Sequence, residues 1–127
     1  MIRLFLIGAG GFLGAISRYL LSGVAQRISD AVVFPFGTFA VNVIGCFCIG
    51  ALAYLAEDRG AFSDQERAFL FVGVLGGFTT FSAFANESVN LVRDGEALWA
   101  IANVTGQVML CLLAVWGGRV FAHAIWR

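Results

Sequence analysis

The residue types most able to do chemistry are concentrated in one stretch of an apolar sequence, Gly76-Gly77-Phe78-Thr79-Thr80-Phe81-Ser82. Each glycine weakens a helix by about 1 kcal/mol relative to alanine, and the threonine hydroxyls compete for backbone carbonyls. The stretch therefore predicts a break in a helix. Inside hydrocarbon, carbonyls freed by such a break must be buried in protein, line a cavity or bind an ion. Transporters build ion sites in this way, and a simple packing kink is the alternative.

A second polar pattern consists of Thr38, Asn42 and Gly45, which are spaced i, i+4 and i+7. On a helix this spacing places a hydroxyl, an amide and a gap on one face. An asparagine amide offers two N–H donors to an anion without the full charge that would trap it. The pattern fits either an anion contact or a hydrogen bond between two helices.

Two aromatic residues, Phe81 and Phe84, follow the predicted break and are three residues apart. They point in roughly the same direction on a helix, and the edge of an aromatic ring is electropositive. Two inward-facing ring edges could therefore offer weak contacts to a dehydrated anion. Lipid-facing packing is the alternative, and the nearby hydroxyls of Thr80 and Ser82 favour the anion path.

Two charged residues, Arg18 and Glu87, fall inside or at the end of the apolar stretches. Charges at membrane depth are costly and are usually functional or paired. We expect both to be structural, with Arg18 reaching the membrane surface or pairing with a neighbour such as Glu87.

The remaining metal-binding residue types are three cysteines and one histidine: Cys46, Cys48, Cys111 and His123. They form no CxxC motif and no histidine pair, which zinc or haem binding would require. We interpret them as packing residues.

The elements that carry these residues are predicted to be four membrane-spanning helices. The chain is 60% hydrophobic and 13% charged with a mean hydropathy of +0.88, far more apolar than a soluble protein. About 20 apolar residues are needed to cross a hydrocarbon core about 30 Å thick. The runs that meet this length predict spans over residues 4–26, 35–56, 66–92 and 97–122, within a single domain of residues 1–127.

The charges predict little preference for one orientation in the membrane. All eight basic residues are arginine, and orientation normally requires a clear excess on one side. A weak bias would let two copies meet antiparallel, and a net charge of zero argues against nucleic acid as a partner. Five arginines are expected on the side of the termini and three on the other: Arg3, Arg59, Arg67, Arg119 and Arg127, against Arg18, Arg27 and Arg93.

Three stretches, residues 11–19, 37–45 and 73–84, resemble the signatures of the Fluc (CrcB) family of small fluoride channels. The resemblance covers essentially the whole chain in length, number of spans and motif order. It implies an all-α membrane protein that forms an antiparallel, dual-topology homodimer in the cell membrane. The implied function is passive, fluoride-selective export that protects the cell, with no enzymatic activity.

The resemblance also implies a role for each matching residue. The carbonyls of Gly76 and Thr79 from both subunits would hold a structural sodium ion at the dimer centre. The anion path would be lined by two phenylalanines, an asparagine and a track of hydroxyls: Phe81, Phe84, Asn42, Thr38, Thr80 and Ser82. Arg18 matches the family's arginine in the first helix.

Two positions depart from the family pattern. Ala83 stands where the family usually has threonine, so that hydroxyl is absent. Asn103 stands about where many relatives have a tyrosine. Asn103 and Gln107 are spaced i, i+4 and could supply polar groups, but the resemblance assigns them no role.

The sequence lacks the residues that two other classes of small membrane protein require. A proton-coupled exporter of the small multidrug-resistance type would need a carboxylate in its first span, where this chain has Arg18 and no acidic residue before Asp30. A membrane anchor for a haem or quinone enzyme would need paired histidines, and the sequence has only His123.

Overall fold

The computed structural model describes residues 1–126 as an all-helical protein; Arg127, counted above among the basic residues, lies outside this range. The helices are α1 (Ile2–Ser29), α2 (Phe36–Asp58), α3 (residues 64–78), α4 (Phe81–Arg93) and α5 (Ala97–Ile125). Helices α3 and α4 together form one span, so four helical spans are long and apolar enough to cross a membrane. The predicted all-α architecture with a broken third span is confirmed.

The first half of the broken span, α3, is not a uniform helix. It begins as an α-helix at Asp64–Arg67, widens to a π-helix over Ala68–Leu75 and returns to α-helix over Gly76–Phe78. Ser63 and Glu66 form a capping box at its start, which satisfies backbone donors at the helix N-terminus. A π segment inside a helix often occurs near a functional site.

Glycines allow α1 to pack directly against the backbone of α3. A Cβ atom on Gly10 would lie 3.0 Å from the Gly73 Cα, and one on Gly77 would lie 2.6 Å from the Gly11 carbonyl oxygen. Lipid tails are as apolar as the side chains, so helices in a membrane have no hydrophobic driving force to associate. Their association depends instead on close van der Waals packing of this kind. Gly10 and Gly14, spaced i, i+4 on α1, both lie against the backbone of α3.

The second tight pair is α2 and α5. A Cβ on Gly50 would overlap the carbonyl of Val115, and a Cβ on Gly118 would overlap the carbonyl of Phe47. Asn103 of α5 is fully buried, with no exposed surface. The two close contacts, α1 with α3 and α2 with α5, hold the broken span beside the polar face of α2.

The connection between α1 and α2 is fixed by one side chain. The Gln26 amide nitrogen donates to the carbonyls of Ala31 at 2.7 Å and Phe34 at 3.1 Å, and its oxygen accepts from the Gly37 N–H at 3.0 Å. Gln26 therefore satisfies two carbonyls of the loop and one backbone N–H in the first turn of α2. These bonds fix where α2 begins.

Candidate ion pathway at the helix break

The third span breaks at Thr79 and Thr80, one turn beyond the two glycines. Gly76 still has helical dihedral angles, with φ −64° and ψ −36°, whereas Thr79 (ψ 157°) and Thr80 (ψ 110°) are extended. Gly77 serves the contact with α1 rather than the break itself. The predicted break is thus present, and it is confined to two threonines.

Asn42 of α2 pairs with the backbone of Thr80 through two hydrogen bonds. The Thr80 N–H donates to Asn42 Oδ1 at 2.9 Å, and Asn42 Nδ2 donates to the Thr80 carbonyl at 3.1 Å. This pair satisfies both backbone groups of an extended residue at membrane depth, where an unpaired group would cost several kcal/mol. Asn42 is buried, so the pairing takes place inside the single chain.

Helix α4 starts directly after the break and is capped by the Thr80 hydroxyl. Thr80 Oγ1 accepts from the Ala83 N–H at 3.1 Å and lies 3.2 Å from Ser82 Oγ. Threonine at this position satisfies one of the free donors of the first turn. The positive end of the α4 dipole therefore points at the break.

The carbonyls of Gly76 and Thr79 lose the donors that a continuous helix would give them. In an unbroken helix these carbonyls would accept from the N–H groups of Thr80 and Ala83. Those N–H groups instead donate to Asn42 Oδ1 and to Thr80 Oγ1. Carbonyl oxygens suit a hard cation such as sodium, so the donor set fits the ion that the resemblance implies. Among residues 1–126, no cluster of three acidic, histidine or cysteine side chains competes for a metal.

A cleft of about 470 Å³ runs along the break. Several residues singled out in the sequence meet in its wall: Asn42, Gly45, Gly76, Thr79, Thr80, Phe81 and Phe84. The predicted gap at Gly45 has a definite use, since a Cβ there would overlap the Thr79 methyl group. The break, the asparagine and the phenylalanines therefore form one site.

The two phenylalanines of this site have different surroundings. Their ring centroids lie 5.3 Å apart with the planes at 61°, an edge-to-face contact. Phe84 is buried inside the protomer, whereas Phe81 is 79% exposed. Phe81 thus presents most of its ring to whatever covers the cleft.

Asn103 and Gln107, which had no assigned role from the sequence, form a chain of hydrogen bonds that begins at Asn42. Asn42 Nδ2 donates to Gln107 Oε1 at 2.7 Å, and Gln107 Nε2 donates to Asn103 Oδ1 at 3.2 Å. Asn103 Nδ2 then donates to Ser88 Oγ at 3.0 Å. We call these four residues the amide relay: Asn42, Gln107, Asn103 and Ser88. The i, i+4 spacing of Asn103 and Gln107 was the only sequence signal for it.

Thr38, Glu87 and Arg18 lie away from the cleft. Thr38 Oγ1 donates to Glu87 Oε1 at 2.6 Å, while Glu87 Oε2 is buried with no hydrogen-bond partner within the described part of the chain. Arg18 is partly exposed, and it makes no ion pair among the described residues. Glu87 is therefore bonded to a hydroxyl and not to the arginine considered from the sequence.

The cysteines and the histidine occupy ordinary packing positions. Cys46 of α2 and Cys111 of α5 lie in the wall of the cleft, and all three cysteines are free thiols. His123 Nδ1 lies 3.1 Å from the Tyr54 hydroxyl. These contacts agree with packing roles.

Comparison with known proteins gives consistent matches along the chain. Residues 5–119 match the family model described as "CrcB-like protein, Camphor Resistance (CrcB)". A protein of Methanosarcina barkeri named "Fluoride-specific ion channel FluC 3" is 42% identical over 98% of this chain and 93% of its own length. A protein of Opitutus terrae named "Fluoride-specific ion channel FluC" is 48% identical over 91% of this chain and 89% of its own length. One of the same name from Elusimicrobium minutum is 46% identical, over 95% and 94%.

Proposed function

The chain belongs to the CrcB family, and we infer that it is a fluoride-specific ion channel, as its curated relatives are named. Its four apolar helices make it a multi-pass membrane protein. The relatives are named as channels and not as enzymes. The alternative of a proton-coupled exporter is not favoured by these matches.

The observation that carries a transport role in this chain is the break at Thr79 and Thr80 beside an open cleft. The break brings N–H donors, hydroxyls and an exposed aromatic ring together in the middle of a membrane span. A small, strongly hydrated anion needs replacement contacts along its route, and these must stay weak enough to release it. Neutral donors and ring edges meet both conditions.

The path that we propose begins along the wall of the cleft and continues beyond it. Phe81 and Phe84 would offer ring edges, and Asn42 would offer an amide. The hydroxyls of Thr80 and Ser82 continue the polar surface from the break, and Thr38 extends it along α2 toward Glu87. The hydrogen bond of Thr38 to Glu87 supports a polar end to this route.

We further propose that the working unit is an antiparallel homodimer. Thr80 and Ser82 carry hydroxyls at membrane depth, and Phe81, which lines the cleft with Thr80, is 79% exposed. Polar groups at this depth must face protein or water and not lipid. A second copy in the opposite orientation would cover the cleft, and the weak arginine bias would allow both orientations.

A sodium ion at the centre of that dimer is part of the proposal. The carbonyls of Gly76 and Thr79, whose usual helical donors are engaged elsewhere, would come from both protomers. Four carbonyl oxygens would then surround the ion. Bound sodium would fix the two breaks against each other.

The proposed function is tested by efflux from liposomes. Purified protein is reconstituted into vesicles loaded with fluoride or chloride, and release is followed with an ion-selective electrode. We expect rapid passive release of fluoride and little release of chloride, without any pH gradient. Equal release of chloride would contradict a fluoride-specific channel, and release only under a pH gradient would favour the exporter.

A further inference from the structure

Both hydrogens of the Asn42 amide are already engaged inside the protomer. One is donated to the Thr80 carbonyl at 3.1 Å and the other to Gln107 Oε1 at 2.7 Å. The orientation of this amide is fixed because the Thr80 N–H can only donate, and it donates to Asn42 Oδ1 at 2.9 Å. An anion in the cleft can therefore bind Asn42 only by displacing one of two acceptors.

The two acceptors differ in how easily they can be displaced. The Thr80 carbonyl belongs to the two-bond pair that satisfies the broken backbone, so losing it would leave buried groups unpaired. Gln107 Oε1 is the terminal atom of a side chain with rotatable bonds, which is buried and lines the same cleft. Rotation of this side chain would free one Asn42 N–H without moving the backbone.

We propose that Gln107 sets how tightly the fluoride path binds its anion: it is an internal acceptor that holds the Asn42 N–H and yields it to the anion. This inference rests on the proposed channel function. The exchange gives up the neutral Asn42–Gln107 bond for a bond to the anion, so its net free energy is smaller than that of the anion's bond alone. A free N–H in a dry site would instead bind an anion strongly, because hydrogen bonds to ions are about twice as strong as neutral ones.

The other residues of the amide relay favour the return of the Gln107 side chain to Asn42. Gln107 Nε2 donates to Asn103 Oδ1 at 3.2 Å, and the fully buried Asn103 is itself held by Ser88 at 3.0 Å. Ser88 Oγ donates to the Phe84 carbonyl at 2.8 Å. When Gln107 is displaced from Asn42, its bond to Asn103 on the same helix can still hold the side chain near its original position.

The variant that tests this role is Gln107→Met, which keeps the length of the side chain but removes the acceptor for Asn42, together with the donor to Asn103 Oδ1. Asn42 keeps its two bonds to Thr80, and one N–H becomes permanently available to the anion. In fluoride-loaded liposomes, the initial efflux rate is measured as a function of fluoride concentration. We expect the half-saturating concentration and the maximum rate both to fall about fivefold, the effect of one hydrogen bond of ordinary net strength.

A purely structural role of Gln107 would give a different result. Loosening of the site would lower the maximum rate while leaving the half-saturating concentration unchanged or raised, and either outcome overturns the proposal. Gln107→Leu provides a second variant with the same expected direction. If neither variant assembles in detergent, Gln107 is a folding residue and the proposal is also overturned.

The matched control is Thr105→Val, which removes a polar group from the exposed face of the same helix. Thr105 Oγ1 donates only to the Ile101 carbonyl at 2.7 Å, so both kinetic constants should stay at wild-type values. The wild-type protein separates this inference from the proposed function. If wild-type vesicles release no fluoride, the function fails. If they do and Gln107→Met matches them, only the role of Gln107 fails.

Discussion

At the break, the hydrogen bonds of most polar side chains go to the backbone, and few groups remain free for an ion. Asn42 satisfies both backbone groups of Thr80, and the Thr80 hydroxyl caps α4. Phe81 is the exception, because most of its ring is exposed. Substitutions at Asn42 should therefore change both folding and transport, whereas substitutions at Phe81 should change transport with little effect on the folding of the single chain.

For Phe81→Ile we expect fluoride efflux to fall at least tenfold while the protein still assembles. The change removes a ring edge from the proposed path, but a side chain that is 79% exposed contributes little to packing within the protomer. Efflux from liposomes and elution from a sizing column measure the two effects. Phe5→Ile, at an equally exposed position of α1, is the control and should conduct normally. Unchanged efflux in Phe81→Ile would remove Phe81 from the path.

For Asn42→Asp we expect loss of efflux together with lower stability, with dimer assembly retained. One carboxylate oxygen can still accept from the Thr80 N–H, but the other replaces a donor and faces two acceptors, the Thr80 carbonyl and Gln107 Oε1. Such a buried mismatch costs about 2 kcal/mol or more. Thermal unfolding in detergent gives the stability change. Asn86→Asp, on an exposed part of α4, controls for added charge.

At the scale of elements, the sequence predicted that the third span breaks but not where each residue acts. Gly76 and Gly77 were assigned to the break because glycine weakens helices. In the structure Gly77 is needed for the contact with α1, and the backbone leaves the helix at the threonines because Asn42 offers them partners. That partnership joins residues 38 positions apart, which local patterns cannot detect.

The same limit explains what was missed around the cleft. Four apolar spans, the capping box at Ser63 and the glycine contacts of α1 follow from local composition and spacing. The amide relay depends on α2, α4 and α5 meeting at one depth, so Asn103 and Gln107 carried no assignable role. The π segment over Ala68–Leu75 likewise has no local signal, since its residues are ordinary apolar ones.

The role of Gly77 as a contact residue gives a prediction about element packing. In Gly77→Ala the new Cβ would lie 2.6 Å from the Gly11 carbonyl oxygen, so α1 and α3 must separate. We expect a loss of about 1–3 kcal/mol, the usual cost of overpacking. Gly117→Ala in α5 meets nothing within 4 Å and should be neutral or stabilising. Equal unfolding temperatures for the two variants would contradict the close contact of α1 with α3.

At the scale of the whole molecule, a single protomer is an incomplete channel. Its cleft is open, and Thr80 and the exposed ring of Phe81 line it at membrane depth. The Ser82 hydroxyl lies 3.2 Å from that of Thr80. The antiparallel homodimer that we propose would close this surface with an identical one. It requires that both orientations of the chain exist in one membrane, and the nearly balanced arginines would permit this.

Orientation can be biased by charge, and this gives a test of the dimer. Asp94→Lys with Glu96→Lys adds positive charge to the loop between α4 and α5 and should retain that loop in the cytoplasm. Arg27→Gln with Arg93→Gln removes positive charge from the same end and should favour the opposite orientation. Each double variant expressed alone would lack antiparallel partners, so we expect cells producing it to lose fluoride export.

Co-expression of the two double variants supplies both orientations again, and fluoride export should then recover. Neither variant could restore export alone, because each inserts in only one orientation and has no antiparallel partner. Recovery would show that the surface with Phe81 and the Thr80 hydroxyl is active only when it packs against the same surface of an antiparallel copy. Full export by either variant alone would contradict an antiparallel dimer, and the open cleft would then need a different partner.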